Sequence, residues 1–188
     1  MNRFGVCVCG MRMGQIFMWF GMAMSLLLAG CAKAPTVPPE HVQIHTATAA
    51  EVLRAVREPG ARAVLVNMWA TWCGPCREEF PDLVRLQRNY RARGLKIVFV
   101  SWDTDTEVAR RFLAAQGVDY PSFVKSGAER DPQFIDAFDP RWSGAMPTTF
   151  LYDGQGRLQD FWEGKQIYKI LEQKLADTLS KQTDRRIP

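Results

Sequence analysis

From Ala63 to Ala70 the chain is almost continuously apolar, with Asn67 as the one polar interruption. That is the pattern of a central parallel strand buried on both faces rather than of a half-exposed one. Beyond it, Phe80, Leu83, Leu86 and Tyr90 recur at helical spacing and predict a helix from about Cys73 to Arg93, which Pro81 kinks without ending. Leu95 to Ser101 returns to strand character, so the three segments make a βαβ unit with a right-handed crossover. Upstream, a short strand is expected near Val42 to Thr46, followed by Thr48-Ala49-Ala50-Glu51 with the spacing of a capping box. The helix it opens should reach about Arg57 before Pro59 and Gly60 end it. Downstream, Thr104-Asp105-Thr106-Glu107 repeats the capping-box spacing, with Val108, Phe112 and Leu113 toward the core and Gly117 closing the helix. Tyr120 to Lys125 reads as a strand and Gln133 to Phe138 as a short helix. Thr148 to Tyr152 and Leu158 to Trp162 flank the hairpin signal Asp153-Gly154-Gln155-Gly156. Ile167, Ile170, Leu171, Leu175 and Leu179 mark a final amphipathic helix.

The first thirty residues break with this alternation. They hold Arg3 and Arg12, no acidic residue, and an apolar stretch from Ile16 to Ala29 that ends in small side chains, the layout of a signal peptide. That stretch is shorter than the roughly 20 residues a membrane-crossing helix needs. Without the two leader arginines the net charge falls from +4 to +2, a nearly neutral surface. With neither a basic stripe nor a nucleic-acid motif, nucleic-acid binding is not expected, and Lys181, Arg185 and Arg186 read as a solvated tail. The remaining chain suffices for one core and argues against two domains. Ala34 to Glu40 is a proline-rich spacer, and His41 and His45 directly after it are given surface or first-strand roles.

Trp72-Cys73-Gly74-Pro75-Cys76 sits at the strand-to-helix junction. Paired cysteines there lie in the first helical turn, where unpaired N–H groups and the helix dipole stabilise a thiolate. Cys73, nearer the terminus, is the expected nucleophile and Cys76 the resolving thiol. A structural zinc site needs four protein ligands, and beyond the leader neither a second cysteine pair nor a downstream histidine exists to complete one. Pro75 fits a helix start, where its missing N–H matters little. The uncharged Gly74 and Pro75 offer nothing that would strongly favour the reduced thiolate, so a reducing potential is expected.

The segment Leu65 to Glu79 resembles the active-site strand and helix of the TlpA/ResA-type thioredoxin-like proteins, and Gly144-Ala145-Met146-Pro147-Thr148-Thr149-Phe150-Leu151-Tyr152-Asp153 resembles the loop and strand that carry the superfamily's cis-proline. The similarity extends from about Val42 to Leu179. It implies an α/β fold, a thioredoxin-like three-layer α/β/α sandwich with a central mixed sheet and a TlpA-type central insertion. It implies a redox-active Cys73–Cys76 disulfide and a cis Pro147. Trp72, Gly74, Pro75, Met146 and Pro147 would bind client protein. Glu79 matches an active-site glutamate of ResA-type proteins and becomes the candidate proton handler, because Asn67 stands where thioredoxins commonly bury an aspartate. Trp142, just before the cis-proline loop, is open between a partner surface and core packing.

Leu28-Ala29-Gly30-Cys31 resembles the lipobox of bacterial lipoproteins, which implies that Cys31 carries lipid and begins the mature chain. Ala32 after it hints at the outer membrane. With Cys7 and Cys9 in the leader, Cys73 and Cys76 are then the only free thiols of the mature protein, which suits an oxidising envelope. The domain reading is a signal peptide over 1–30, lipidated cysteine and linker over 31–41, a thioredoxin-like domain over 42–180 and a basic tail over 181–188. The functional reading is a membrane-anchored periplasmic thiol:disulfide oxidoreductase that reduces client disulfides, as in cytochrome c or copper-site maturation. It needs no cofactor or metal, is expected to be a monomer, and is resupplied by a membrane thiol electron donor. A copper(I)-binding assembly protein using the same cysteines, a thiol peroxidase and an inactive binding module are the rivals.

Overall fold

The structure, a computed structural model, describes residues 36–184. The expected signal peptide, Cys31 and its lipobox, and Arg185 and Arg186 lie outside the described residues. The elements run β1 (Ile44–Ala47), α1 (Ala49–Val56), β2 (Ala63–Trp69), α2 (Gly74–Tyr90), β3 (Leu95–Ser101), α3 (Thr106–Ala115), β4 (Ser122–Lys125), α4 (Asp131–Phe138), β5 (Thr148–Asp153), β6 (Leu158–Glu163) and α5 (Tyr168–Asp184). They form one six-stranded sheet in the order β1-β4-β3-β2-β5-β6. The first four strands in that order are parallel, and β5 and β6 add on antiparallel. This is the mixed sheet the resemblance implied. Between α3 and β5 the chain adds β4, which enters the sheet between β1 and β3, and α4.

Every residue of β2 is buried, as its unbroken apolar character requires. Alternation along the strand then sorts its side chains onto two faces. Leu65 and Trp69 join the cluster formed with α2, α3 and α5, including Phe80, Leu83, Leu86, Leu113, Leu171 and Leu175. Val64, Val66 and Met68 join the opposite cluster with Val52 and Val56 of α1 and Phe134 and Phe138 of α4. Helices therefore cover both faces, which is the three-layer arrangement. Under α2, the Phe80 ring stacks on Phe99 with centroids 4.3 Å apart and meets Trp69 edge-on at 4.8 Å. These rings fix the start of α2 over the carboxyl end of β2.

Local signals set several element ends as expected. Thr48 Oγ1 accepts from the Glu51 N–H and the Glu51 carboxylate accepts from the Thr48 N–H, a closed capping box. Helix α2 continues through Pro81, whose position is solvent-exposed, so water can serve the carbonyl the proline leaves without a partner. It ends at Tyr90, and residues 91–93 tighten into a 3₁₀ turn. Gly117, at φ 74°, closes α3 while Val118 N–H returns to Leu113 O.

Other expectations needed correction. Asp105, not Thr104, caps α3 by accepting from the Glu107 N–H, and Glu107 is free to pair with Arg110 at 2.7 Å. An acid directly before the first helical residue combines the cap with a favourable charge at the dipole's positive end. Val108 is only half-buried; Ala109, Leu113 and Ala114 are the buried residues of α3. Ile167 and Ile170 are 58% and 41% exposed, off the buried stripe of Leu171, Leu175 and Leu179. Ile167 is one i, i+4 step before Leu171 but precedes the first residue of α5, where Tyr168 packs on the core instead, and Ile170 sits beside the leucine stripe rather than on it. Trp142 resolves as core: it is 3% exposed, with its indole N–H on Ala145 O.

Candidate active site

The dithiol sits where β2 runs out. Pairing with β3 persists past the last strand residue through Trp102 N–H to Trp69 O at 2.8 Å, and Cys73 N–H then closes a turn onto Ala70 O. That turn delivers Cys73 to the N-cap of α2, where its Sγ accepts from the Cys76 N–H at 3.2 Å. The cap is extended at φ −83° and ψ 105°, as an N-cap should be, and Gly74 and Pro75 supply the first helical positions. Cys73 and Cys76 are joined in a disulfide with Cα atoms 5.3 Å apart. In the oxidised pair both sulfurs are buried, Cys73 7% exposed against 2% for Cys76. Trp72 next to it is 68% exposed, and Gly74 and Pro75 are also at the surface.

Met146-Pro147 is a cis peptide bond. Thr148 follows at once and pairs with Met68, so the antiparallel register carries this loop alongside the end of β2. Pro147 is buried and its carbonyl is held by the Gly164 N–H at 2.7 Å. The Ala145 carbonyl accepts from Trp142 Nε1 and Thr148 Oγ1. Neither the N–H nor the C=O of half-buried Met146 is hydrogen-bonded among the described residues, which leaves both for an incoming chain.

Glu79 lies on α2 three residues after Cys76 and is 1% exposed, a buried acid. Its Oε2 accepts from the Gln166 N–H at 3.1 Å and its Oε1 lies 3.5 Å from Asn67 Nδ2. Asn67 in turn donates to Thr149 Oγ1 at 2.9 Å, while its Oδ1 has no hydrogen-bond partner among the described residues. Burial is the dominant influence on the Glu79 carboxyl and raises its pKa to about 7; Asp82 raises it further, while the Gln166 N–H and Lys165 oppose. Lys165 is itself tied to Glu78 at 2.6 Å. The sequence pointed to Glu79 but not to the segment around Gln166, because a backbone N–H supplied by a loop leaves no residue-type signature. Asp103 was missed as well. Its only signal was position, an acid just past the carboxyl end of a buried parallel strand.

The model of the Redoxin family matches residues 31–175, most of the chain. The chain belongs to the Redoxin family. Within it, this redoxin is of the TlpA/ResA thioredoxin-like type. It is 31% identical over 97 residues to the thiol-disulfide oxidoreductase ResA of Bacillus subtilis, covering 52% of this chain and 50% of that protein. It is 35% identical over 121 residues to the thiol:disulfide interchange protein HelX of Rhodobacter capsulatus, covering 64% of this chain and 62% of that one. The chain thus spans only about half to two-thirds of the length of these relatives. The crystal structure of a thiol:disulfide interchange protein of the thioredoxin family from Chlorobium tepidum superposes with a TM-score of 0.56 at 27% identity, over 67% of this chain and 83% of that one.

The raised Glu79 pKa fixes a pH dependence of stability. Between the unfolded value of 4.5 and the folded value of about 7 the native state of this redoxin holds the proton more tightly than the unfolded chain. The contribution is therefore complete below 4.5, is lost as pH rises through that window, and levels off above it, a loss of up to about 3 kcal/mol. Urea unfolding of the oxidised protein should show wild-type stability falling across that window, and Glu79→Gln removing most of the fall. Parallel curves for the two proteins would place Glu79 in a solvated environment.

Proposed function

We propose that this redoxin is a protein-disulfide reductase facing the periplasm, anchored to membrane by lipid on Cys31. The observation that carries the reading is Cys73 Sγ at the N-cap of α2, joined to Cys76 and flanked by a cis-proline loop whose Met146 backbone is unpaired among the described residues. Backbone dipoles at a helix start stabilise a thiolate more than a thiol, so the reduced Cys73 is the attacking group.

The Cys73 thiolate attacks one sulfur of a client disulfide, forming a mixed disulfide and releasing the other client sulfur as thiolate. Trp72, Gly74 and Pro75 at the surface, and Met146 beside Pro147, receive the client strand, whose backbone pairs with the open Met146 groups. Cys76 then gives up its proton and attacks Cys73 Sγ, which expels the second client thiolate and leaves the Cys73–Cys76 disulfide. Two electrons have passed to the client. Glu79 accepts the Cys76 proton: a carboxyl poised at about 7 exchanges protons readily near neutral pH, where an ordinary glutamate is too weak a base. A membrane thiol donor returns the electrons. Clients in cytochrome c or copper-site maturation fit this chemistry, and the names of ResA and HelX support the exchange reaction itself. Among the described residues no helix is long and apolar enough to cross a membrane. Support for the anchor comes from the lipobox resemblance of Leu28-Ala29-Gly30-Cys31.

Cys76→Ser should accumulate mixed disulfides with envelope proteins that reducing agent releases, whereas Cys73→Ser should trap few. Equal trapping by both variants would reverse or abolish the assigned roles. In cells fed labelled fatty acid the wild type should become labelled and fractionate with membranes, and Cys31→Ser should lose the label. An unlabelled, soluble wild type would remove the anchor from this account.

A further inference from the structure

Asp103 lies just beyond β3 and is 7% exposed, yet it forms no ion pair among the described residues. Its charge is met by hydrogen-bond donors instead. Thr71 N–H donates to Oδ2 at 3.0 Å and to Oδ1 at 3.3 Å, and Thr71 Oγ1 donates to Oδ1 at 2.7 Å. Ser101 Oγ donates to Oδ2 at 2.6 Å and accepts from the Asp103 N–H at 3.0 Å. Burying a carboxylate without a cation is unfavourable, and bonds to a charged acceptor are about twice as strong as neutral ones, so the arrangement is stable only while Thr71 and Ser101 hold their places. Ser101 is fixed in β3, opposite Trp69 in the sheet. Thr71 belongs to no helix or strand; it lies two residues before Cys73, inside the turn that Cys73 N–H closes onto Ala70 O.

We propose that Asp103 is a positioning residue: by gripping Thr71 on both its N–H and its hydroxyl, it keeps the Ala70–Cys73 turn in place so that Cys73 Sγ stays at the amino end of α2 once the disulfide is open. The inference rests on the reductase reading above. It matters most in one redox state. In the oxidised protein the bond to Cys76, itself inside α2, holds Cys73 whatever Thr71 does. On reduction that bond is gone, and the turn with its Asp103 anchor is what aims the sulfur at the Cys76 N–H. The grip therefore acts in the state in which Cys73 must attack. A simple charge effect has the opposite sign: a carboxylate near a thiolate repels it, so removing Asp103 for that reason alone would lower the Cys73 pKa.

The test is the pH profile of Cys73 alkylation in the reduced full-length protein, read by mass spectrometry, with exchange against oxidised glutathione measured in parallel. Asp103→Ala should raise the Cys73 pKa by about one unit and slow alkylation at neutral pH by up to about ten-fold. Asp103→Asn, which still offers an oxygen to Thr71, should fall between that variant and the wild type. Melting of the oxidised protein should change less than these reduced-state readouts. Should Asp103→Ala not fold, Thr71→Val decides: it deletes one hydroxyl at a half-buried position and should shift the profile in the same direction by a few-fold in rate. A Cys73 pKa that is unchanged or lowered in Asp103→Ala, or in Thr71→Val where that variant decides, overturns the inference. A wild type that does not exchange with glutathione would instead sink the reductase reading, since it requires no substitution at Asp103.

Discussion

Cys73 Sγ accepting the Cys76 N–H at the start of α2 is the contact on which the chemistry of this fold depends. An unpaired N–H at a helix start is present in every helix; what is particular here is that a sulfur able to carry negative charge has been placed against it. The placement is a product of the whole sheet. Burial of β2 on both faces fixes its carboxyl end, and the Phe80, Phe99 and Trp69 rings hold α2 above it. The turn between them then has little freedom in where it delivers Cys73.

Two buried carboxylates, Glu79 on α2 and Asp103 just beyond β3, differ in their surroundings. Glu79 faces an amide, a backbone N–H and apolar packing, and burial lifts its pKa to about 7. Asp103 receives one N–H and two hydroxyls, which tie it to Thr71 and Ser101. The first environment suits a group that takes and returns a proton. The second suits one that holds a loop. The same segment that donates Gln166 N–H to Glu79 also donates Gly164 N–H to Pro147, so the proton site and the cis-proline loop share one support.

Much of this was legible in the chain because it depends on local pattern. The apolar run of β2, the capping box at Thr48 and the hairpin at Asp153 each occupy the residues where their spacing put them. The dithiol and the cis-proline block were readable through resemblance, since both combine unusual residues in a fixed order. What escaped detection depends on three-dimensional arrangement. A hydrophobic count over α5 includes Ile167 and Ile170, but only the neighbouring elements decide which stripe is covered. Thr104 and Asp105 both satisfy cap chemistry, and the start of α3 selects one of them. Asp103 and Thr71 are 32 positions apart, and nothing in either residue announces the other.

A helix terminus with uncharged Gly74 and Pro75 between the thiols stabilises the reduced thiolate moderately, not to the extent that makes a dithiol strongly oxidising. The reduction potential of the Cys73–Cys76 pair, obtained by equilibrating the protein with dithiothreitol or glutathione buffers, therefore tests the reductase role most directly. The extremes, thioredoxin-like reductants and dedicated oxidases, differ by about 150 mV, or roughly 7 kcal/mol for two electrons. A value in the region of about −270 mV is what the proposed reductase role predicts, and one near −120 mV would contradict it by making the protein an oxidant of its clients.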